Sequence, residues 1–166
     1  MSKSKIVAMM ALITFAMGIL LVGNAVAGEK FKMRAHWYWV KAEPINVPRE
    51  EGRFLAVWNY KGILTVLQGN KLMDGMAADN VGCGDVNTKM GTGFAHGELL
   101  FTDRDGDKMY WTYEGKAVKG IWSGPSTFVK GTGKFEGMQG KSSWFQVVVG
   151  PNLSYVDWDG EIELPR

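Results

Sequence analysis

Residues 31–41, Phe-Lys-Met-Arg-Ala-His-Trp-Tyr-Trp-Val-Lys, change character at every step. Phe31, Met33, Ala35, Trp37 and Trp39 fall on one side of an extended chain, and Lys32, Arg34, His36 and Tyr38 on the other. Successive side chains of a β-strand point to opposite faces, so the segment predicts a half-buried strand with an aromatic inner face. The period of two returns in 53–60, where Phe54, Ala56, Trp58 and Tyr60 oppose Leu55, Val57 and Asn59. A short third strand is expected over 63–67. Further strands follow at 97–102, 107–114, 122–129, 142–149 and 155–164. Between 102 and 107, Asp105-Gly106 reads as a hairpin turn, since glycine accepts the positive φ that such a turn requires.

The intervening stretches read differently. Residues 43–52 carry Pro44 and Pro48 and are expected to form a loop unable to hold a central strand. Residues 71–84 are the least regular, with one helix-like run, 71–79, interrupted at Gly75. Nowhere after residue 28 is a 3.6-residue period sustained. Short strands separated by turn signals argue for an all-β barrel or sandwich. Closure into a barrel is favoured, because an open sheet would expose apolar edges such as Val147, Val148 and Val149.

The chain of 166 residues has room for one domain, residues 28–166, preceded by a targeting segment, residues 1–27. Lys3 and Lys5 form a basic start, residues 6–22 an uncharged apolar run, and Ala25-Val26-Ala27 the small residues that a signal peptidase reads. An exported protein is expected, periplasmic or extracellular, meeting a membrane only through an uncleaved signal. Of 19 Lys and Arg, two lie in the signal, leaving 17 against 17 Asp and Glu. The mature chain is therefore neutral and its cations are scattered, which argues against a nucleic-acid partner. The single cysteine, Cys83, cannot form an internal disulfide and reads as a free thiol.

The glycine runs do not match phosphate-binding loops. Residues 131–141, Gly-Thr-Gly-Lys-Phe-Glu-Gly-Met-Gln-Gly-Lys, lead into a strand, where a dinucleotide fingerprint needs a helix. The P-loop glycine required before Gly140-Lys141-Ser142 is Phe135. The run reads as a tight turn with Phe135 tucked inward and Gly133 and Gly137 at positive φ. Asp103-Arg-Asp-Gly-Asp107 resembles a calcium loop in composition but lacks its glycine in sixth place and its flanking helices. No metal and no cofactor is expected. His96 and Glu98 share a strand face, without a visible third partner for catalysis, and no catalytic residue is assigned. All seven tryptophans lie in the mature chain. Trp37, Trp58, Trp111 and Trp144, with Tyr113 and Glu98 as polar ends, are the candidate lining of a cavity for a small apolar or aromatic ligand. Tyr38 and Asn59 are further candidate polar tips.

Several of these pieces resemble the allene oxide cyclase barrel-like superfamily, the calycin-like barrels that include dirigent proteins. They are Phe101-Thr-Asp-Arg-Asp-Gly-Asp107, Trp111-Thr-Tyr-Glu-Gly115, Gly131-Thr-Gly-Lys-Phe-Glu-Gly137 with Gly140, and Tyr155-Val-Asp with Gly160 and Leu164-Pro165. The ending is similar to that of secreted bacterial members. The resemblance implies an eight-stranded antiparallel barrel with a hydrophobic cavity, often a homo-oligomer. Plant members either cyclise an unsaturated fatty-acid epoxide or steer the coupling of phenolic radicals. The matching motifs are turns, so no catalytic residue transfers. Three readings follow: a non-catalytic ligand-binding barrel, a cofactor-free isomerase or cyclase, and a structural protein with a filled lumen.

N-terminal sequencing of protein recovered from the host's envelope or medium should begin at Gly28. Recovery in the membrane fraction with Met1 retained would contradict export by cleavage.

Overall fold

A computed structural model describes residues 28–164; residues 1–27, expected to be a targeting segment, lie outside them. Eight antiparallel strands pair in chain order and the last closes on the first. They are β1 (Glu29–Asn46), β2 (Arg53–Gln68), β3 (Ala77–Asn87), β4 (Thr92–Thr102), β5 (Lys108–Val118), β6 (Ile121–Gly131), β7 (Gln139–Gly150) and β8 (Leu153–Glu163). Two single 3-10 turns, Lys71–Met73 and Gly133–Phe135, are the other regular elements among the described residues. The expected single antiparallel eight-stranded β-barrel is thus what the chain forms.

Three stretches depart from the sequence expectation. The loop expected at 43–52 begins only after Asn46, because β1 carries Pro44 as a strand residue opposite Ala56 of β2. The pairing of β1 with β8 stops at Tyr38 opposite Leu153, so Pro44 sits on an edge where its missing N–H interrupts no ladder. A bulge between Trp39 and Lys41 shifts the inward set from odd to even residues. The strands expected at 53–60 and 63–67 are one strand. Gly62 between them is no turn but a close approach: a Cβ there would lie 2.1 Å from the carbonyl oxygen of His36 and 3.0 Å from the Trp37 ring. The irregular stretch 71–84 contains most of β3, whose inward positions Ala78, Asn80, Gly82 and Gly84 carry almost no apolar signal.

One end of the barrel is plugged by two copies of the same device. Gly69-Asn-Lys-Leu-Met-Asp-Gly-Met76 links β2 to β3, and Gly131-Thr-Gly-Lys-Phe-Glu-Gly-Met138 links β6 to β7. In each, a 3-10 turn ends on a buried side chain (Met73, Phe135), an acidic residue follows, a glycine turns the chain at positive φ (Gly75 +75°, Gly137 +77°), and a second buried methionine closes the motif. Asn70 caps the first turn by accepting from the Leu72 N–H at 2.9 Å, and Asp74 accepts from the Val66 N–H at 2.7 Å. Above the plugs lie Phe31, Met33, Phe101, Met109, Trp111 and Ile162, all buried. The rings meet edge to face, Phe31 with Trp111 at 6.3 Å and Trp111 with Phe128 at 5.6 Å. Each fully buried side chain of this kind contributes about 1.5–3 kcal/mol, so this end carries most of the core.

The Asp103–Asp107 segment is a hairpin turn, with Gly106 at φ +90°. Asp103 accepts from the N–H groups of Asp105 and Asp107, each at 2.9 Å. The Lys134 ammonium, from the second plug, pairs with Asp103 and reaches Asp105 at 3.3 Å, and that contact holds the Asp103 carboxyl below its ordinary range. On the outer face of the closing seam, Arg34 binds Asp157 through two hydrogen bonds of 2.6 and 2.8 Å and lies 4.1 Å from the Tyr155 ring centre.

Gly137→Val forces a branched side chain into the left-handed region and should cost about 1–3 kcal/mol of stability. Chemical denaturation measures this, and an unchanged midpoint would show that the second plug relaxes freely.

Candidate functional site

At the opposite end the lumen is open. The hairpin turns joining β1–β2, β3–β4, β5–β6 and β7–β8 surround a cavity of about 570 Å³. Alternation aims large rings from β1, β2, β5, β6, β7 and β8 at this space, and six of the seven tryptophans line it: Trp37, Trp39, Trp58, Trp122, Trp144 and Trp158.

The rings form a connected belt. Trp39 stacks on Tyr60 at 5.3 Å and 18°, and Tyr60 on Trp58 at 6.2 Å and 15°. The Trp58 indole N–H donates to the Tyr113 hydroxyl at 3.0 Å, and that hydroxyl donates to Asn80 Oδ1 at 2.9 Å. Tyr113 meets Trp144 edge to face at 5.6 Å, and the Trp144 N–H donates to the carbonyls of Glu114 and Pro125, each at 3.2 Å. The belt thus runs from β1 through β2 and β5 to β7, with its Trp58, Tyr113 and Trp144 edges fixed by hydrogen bonds. Trp37 and Trp158, in edge contact at 6.4 Å, make the floor. Gln146, on the lining, is held by its amide N–H donating to Ser154 at 2.9 Å.

Glycine on β3 makes room for this arrangement. A Cβ at Gly82 would stand 2.3 Å from the Tyr113 hydroxyl and 2.6 Å from Trp58 Nε1. The glycines that hid β3 in the sequence are therefore where the belt crosses the barrel wall.

Of the candidate lining residues, the structure brings Trp37, Trp58, Tyr113 and Trp144 together at the cavity and does not bring the other two. Trp111 is a correction: it belongs to the plugged end, because it lies nearer the start of β5 and is walled off by Phe31 and Phe128. Glu98 is a second correction. It is an outward residue of β4, whose inward set is Ala95, Leu99 and Phe101, so its carboxylate faces solvent. Tyr38 likewise points out and is exposed. Sequence reasoning passed over Tyr60, although the alternation of β2 places it on the same face as Trp58. Asn80 and Gln146 carried no signal of their own, since one polar residue per strand does not show its facing.

No carboxylate, imidazole or amine belongs to the lining among the described residues. Its ionisable groups are Tyr60 and Tyr113. Burial pushes Tyr113 up to about 12, against the hydrogen bonds from Trp58 and to Asn80, and burial raises Tyr60 further. Both are neutral phenols at ordinary pH. The cavity can stack, enclose and accept or donate single hydrogen bonds; it holds no general acid or base in the ordinary range.

The buried phenols tie stability to alkaline pH. The unfolded chain releases these protons near pH 10, whereas the folded chain keeps them until about pH 12. Their contribution is complete below about pH 10 and is lost as the pH rises towards 12. Phenolate absorbance should show two tyrosines that titrate only with unfolding. Tyr113→Phe, which strands the Trp58 N–H and the Asn80 carbonyl, should cost about 1–3 kcal/mol and leave one such tyrosine.

No protein-family model matches the chain, and no curated protein matches it. Among solved structures, the pterocarpan synthase dirigent protein GePTS1 is similar in fold, with a TM-score of 0.50 and 15% sequence identity, over 87% of this chain and 96% of that one. The chain thus shares a barrel fold with a dirigent protein.

Proposed function

We propose that the protein is an exported barrel that binds one small, neutral, apolar or aromatic molecule in its open end, without catalysis. The observation that carries this reading is the cavity of about 570 Å³, walled by stacked and hydrogen-bonded aromatic rings and free of charged side chains. Its size falls in the range of about 300–1,000 Å³ usual for small-molecule sites, and its composition matches theirs. The fold likeness to a dirigent protein agrees with a barrel that holds or directs a flat molecule. The finer placement, as a secreted bacterial-type member of the allene oxide cyclase barrel-like superfamily, rests on the turn motifs at 101–107, 111–115 and 131–140. Export rests on the signal-like segment 1–27, and a homo-oligomer on the same resemblance.

The chemistry of the lining favours a neutral ligand. A fatty acid would have to leave its carboxylate at the mouth, whereas a phenol, quinone or polyene could sit wholly inside, its faces against Trp58 and Tyr60 and its oxygen near Asn80 or Gln146. An isomerase or cyclase of allene oxide cyclase type would need a group to move protons, and the lining supplies none that ionises near neutrality. A purely structural barrel would need no cavity beside a plugged end.

Titration with neutral phenolics and polyenes should quench or shift tryptophan emission and raise the melting temperature, as expected for a ligand that binds only the folded state. Trp58→Ala should weaken the response at least fivefold. Lys134→Ala, at the plugged end, should leave it unchanged. If no neutral aromatic or polyene changes emission or melting temperature, the binding reading fails and the structural one stands.

A further inference from the structure

The outer wall carries a row of three reactive side chains unconnected with the cavity. Cys83 on β3 lies directly opposite His96 on β4, and His96 directly opposite Glu114 on β5. All three are on the outward face, where the imidazole and carboxylate are exposed and the thiol is half-buried. The Cys83 sulfur is 3.3 Å from His96 Nε2. Cross-strand neighbours on one face stand about 4.5–5.5 Å apart at Cβ, so a carboxylate flanks the imidazole on the side away from the thiol. Glu98, two residues along β4, adds a second carboxylate on that face. Phe94 covers the imidazole's other flank, its ring centre 5.8 Å away.

The remaining surroundings leave the thiol to the imidazole. Across from Cys83 on β2 is Val57. Along β3, Val81 is apolar, and Asp85 is taken up by Arg53 through hydrogen bonds of 2.6 to 3.1 Å. Lys116, next outward on β5, lies opposite Phe94. The polar contact of the sulfur among the described residues is therefore His96. The sequence singled out His96 and Glu98 without a third partner; the fold supplies the nucleophile and a further carboxylate from the two neighbouring strands.

We propose that Cys83 is an activated thiol, with His96 as its proton acceptor and Glu114 as the positioning carboxylate, and that this row is a site of reversible mixed-disulfide formation with small-molecule disulfides. In the tautomer that carries its own proton on Nδ1, His96 accepts the thiol proton at Nε2 as the sulfur attacks. A bond forms between Cys83 sulfur and one sulfur of the disulfide, and the disulfide bond breaks. The departing thiolate carries off the second sulfur and takes the proton from the imidazolium, so the incoming disulfide is the only oxidant. Cys83 is the only cysteine in the chain, so no internal thiol can displace the adduct; its release requires an external thiol.

The test is the second-order rate with dithiobis(nitrobenzoate) across pH 5 to 9 on the folded full-length chain, with glutathione disulfide and mass spectrometry identifying the adduct. We expect His96→Gln to slow the reaction about tenfold at neutral pH and to remove a shoulder on the acid side of the rate profile. Glu114→Gln should slow it about threefold, and Cys83→Ser should abolish the adduct. Circular dichroism checks that each variant is folded. A wild-type profile with no acid-side shoulder overturns the proposal whatever the variants do. So does an equal rate for wild type and His96→Gln, or reaction only after denaturation. Because the row faces away from the lumen, failure here leaves the ligand-binding reading untouched.

Discussion

Ring closure governs this molecule. A sheet of eight strands can dispense with edges only if β1 pairs with β8 as well as with β2, and that pairing runs from Glu29 to Tyr38. Once the ring is closed, every second residue is committed to a lumen of fixed width. Bulk there has to match the circumference: too little leaves a void, too much prevents closure. The paired glycines and rings answer this constraint. Gly62 admits the Trp37 ring, Gly82 admits Trp58 and Tyr113, and a Cβ at Gly115 would stand 2.3 Å from the Trp144 ring. Opposite Trp37, Trp58 and Trp144, a neighbouring strand carries glycine at Gly62, Gly82 and Gly124.

The two ends meet the constraint in different ways. At the plugged end, methionines and phenylalanines fill most of the space without polar demands, and the repeated turn lets two connections serve as stoppers. At the open end Trp58, Tyr113 and Trp144 carry N–H and O–H groups that are held by one another, by Asn80 and by backbone carbonyls, with space left between the walls. Burial of Trp58 and Tyr113 is tolerable there because each polar edge is spoken for, at a net gain of about 1 kcal/mol per hydrogen bond and an avoided penalty of about 1–3 kcal/mol for each group left unpaired. Rigidity at the cavity thus comes from a polar chain threaded through aromatic rings, while cohesion comes from the opposite end.

The barrel was legible because alternation survives wherever inward residues are large. Strands β1, β2 and β5 announce themselves through Trp37, Trp58 and Trp111. The same logic failed on β3, where the lumen demanded Gly82 and Gly84 and the pattern of large residues inverted into an apparent loop. It failed on Lys61-Gly62, since a glycine demanded by a close approach looks the same as one demanded by a turn. Facing was readable and height along the axis was not. Trp111 and Trp144 both point inward, yet Trp144 lies level with Gly115, four residues further along β5, and that puts one in the plug and the other at the cavity. Glu98 was misplaced by parity, as Ala95, Leu99 and Phe101 fix the inward set of β4. The Cys83–His96–Glu114 row was invisible, because its members are 13 and 18 residues apart and meet only through register.

The bulge in β1 and the proline beyond it have a mechanical consequence. From Lys41 to Asn46 the strand is tied to β2 alone, since β8 begins only opposite Tyr38. That segment has one free side, while its hairpin partner in β2 is paired to β3; inward, Ala42, Pro44, Phe54 and Ala56 stand at the cavity wall. Moving β1 alone here breaks no hydrogen bond to β8, whereas its hairpin partner in β2 stays paired to β3 from Arg53 opposite Asn87 onward. The free edge of the barrel mouth is thus the β1 segment from Lys41 to Asn46, and the proline on it keeps that exposed strand from zipping onto a stray neighbour.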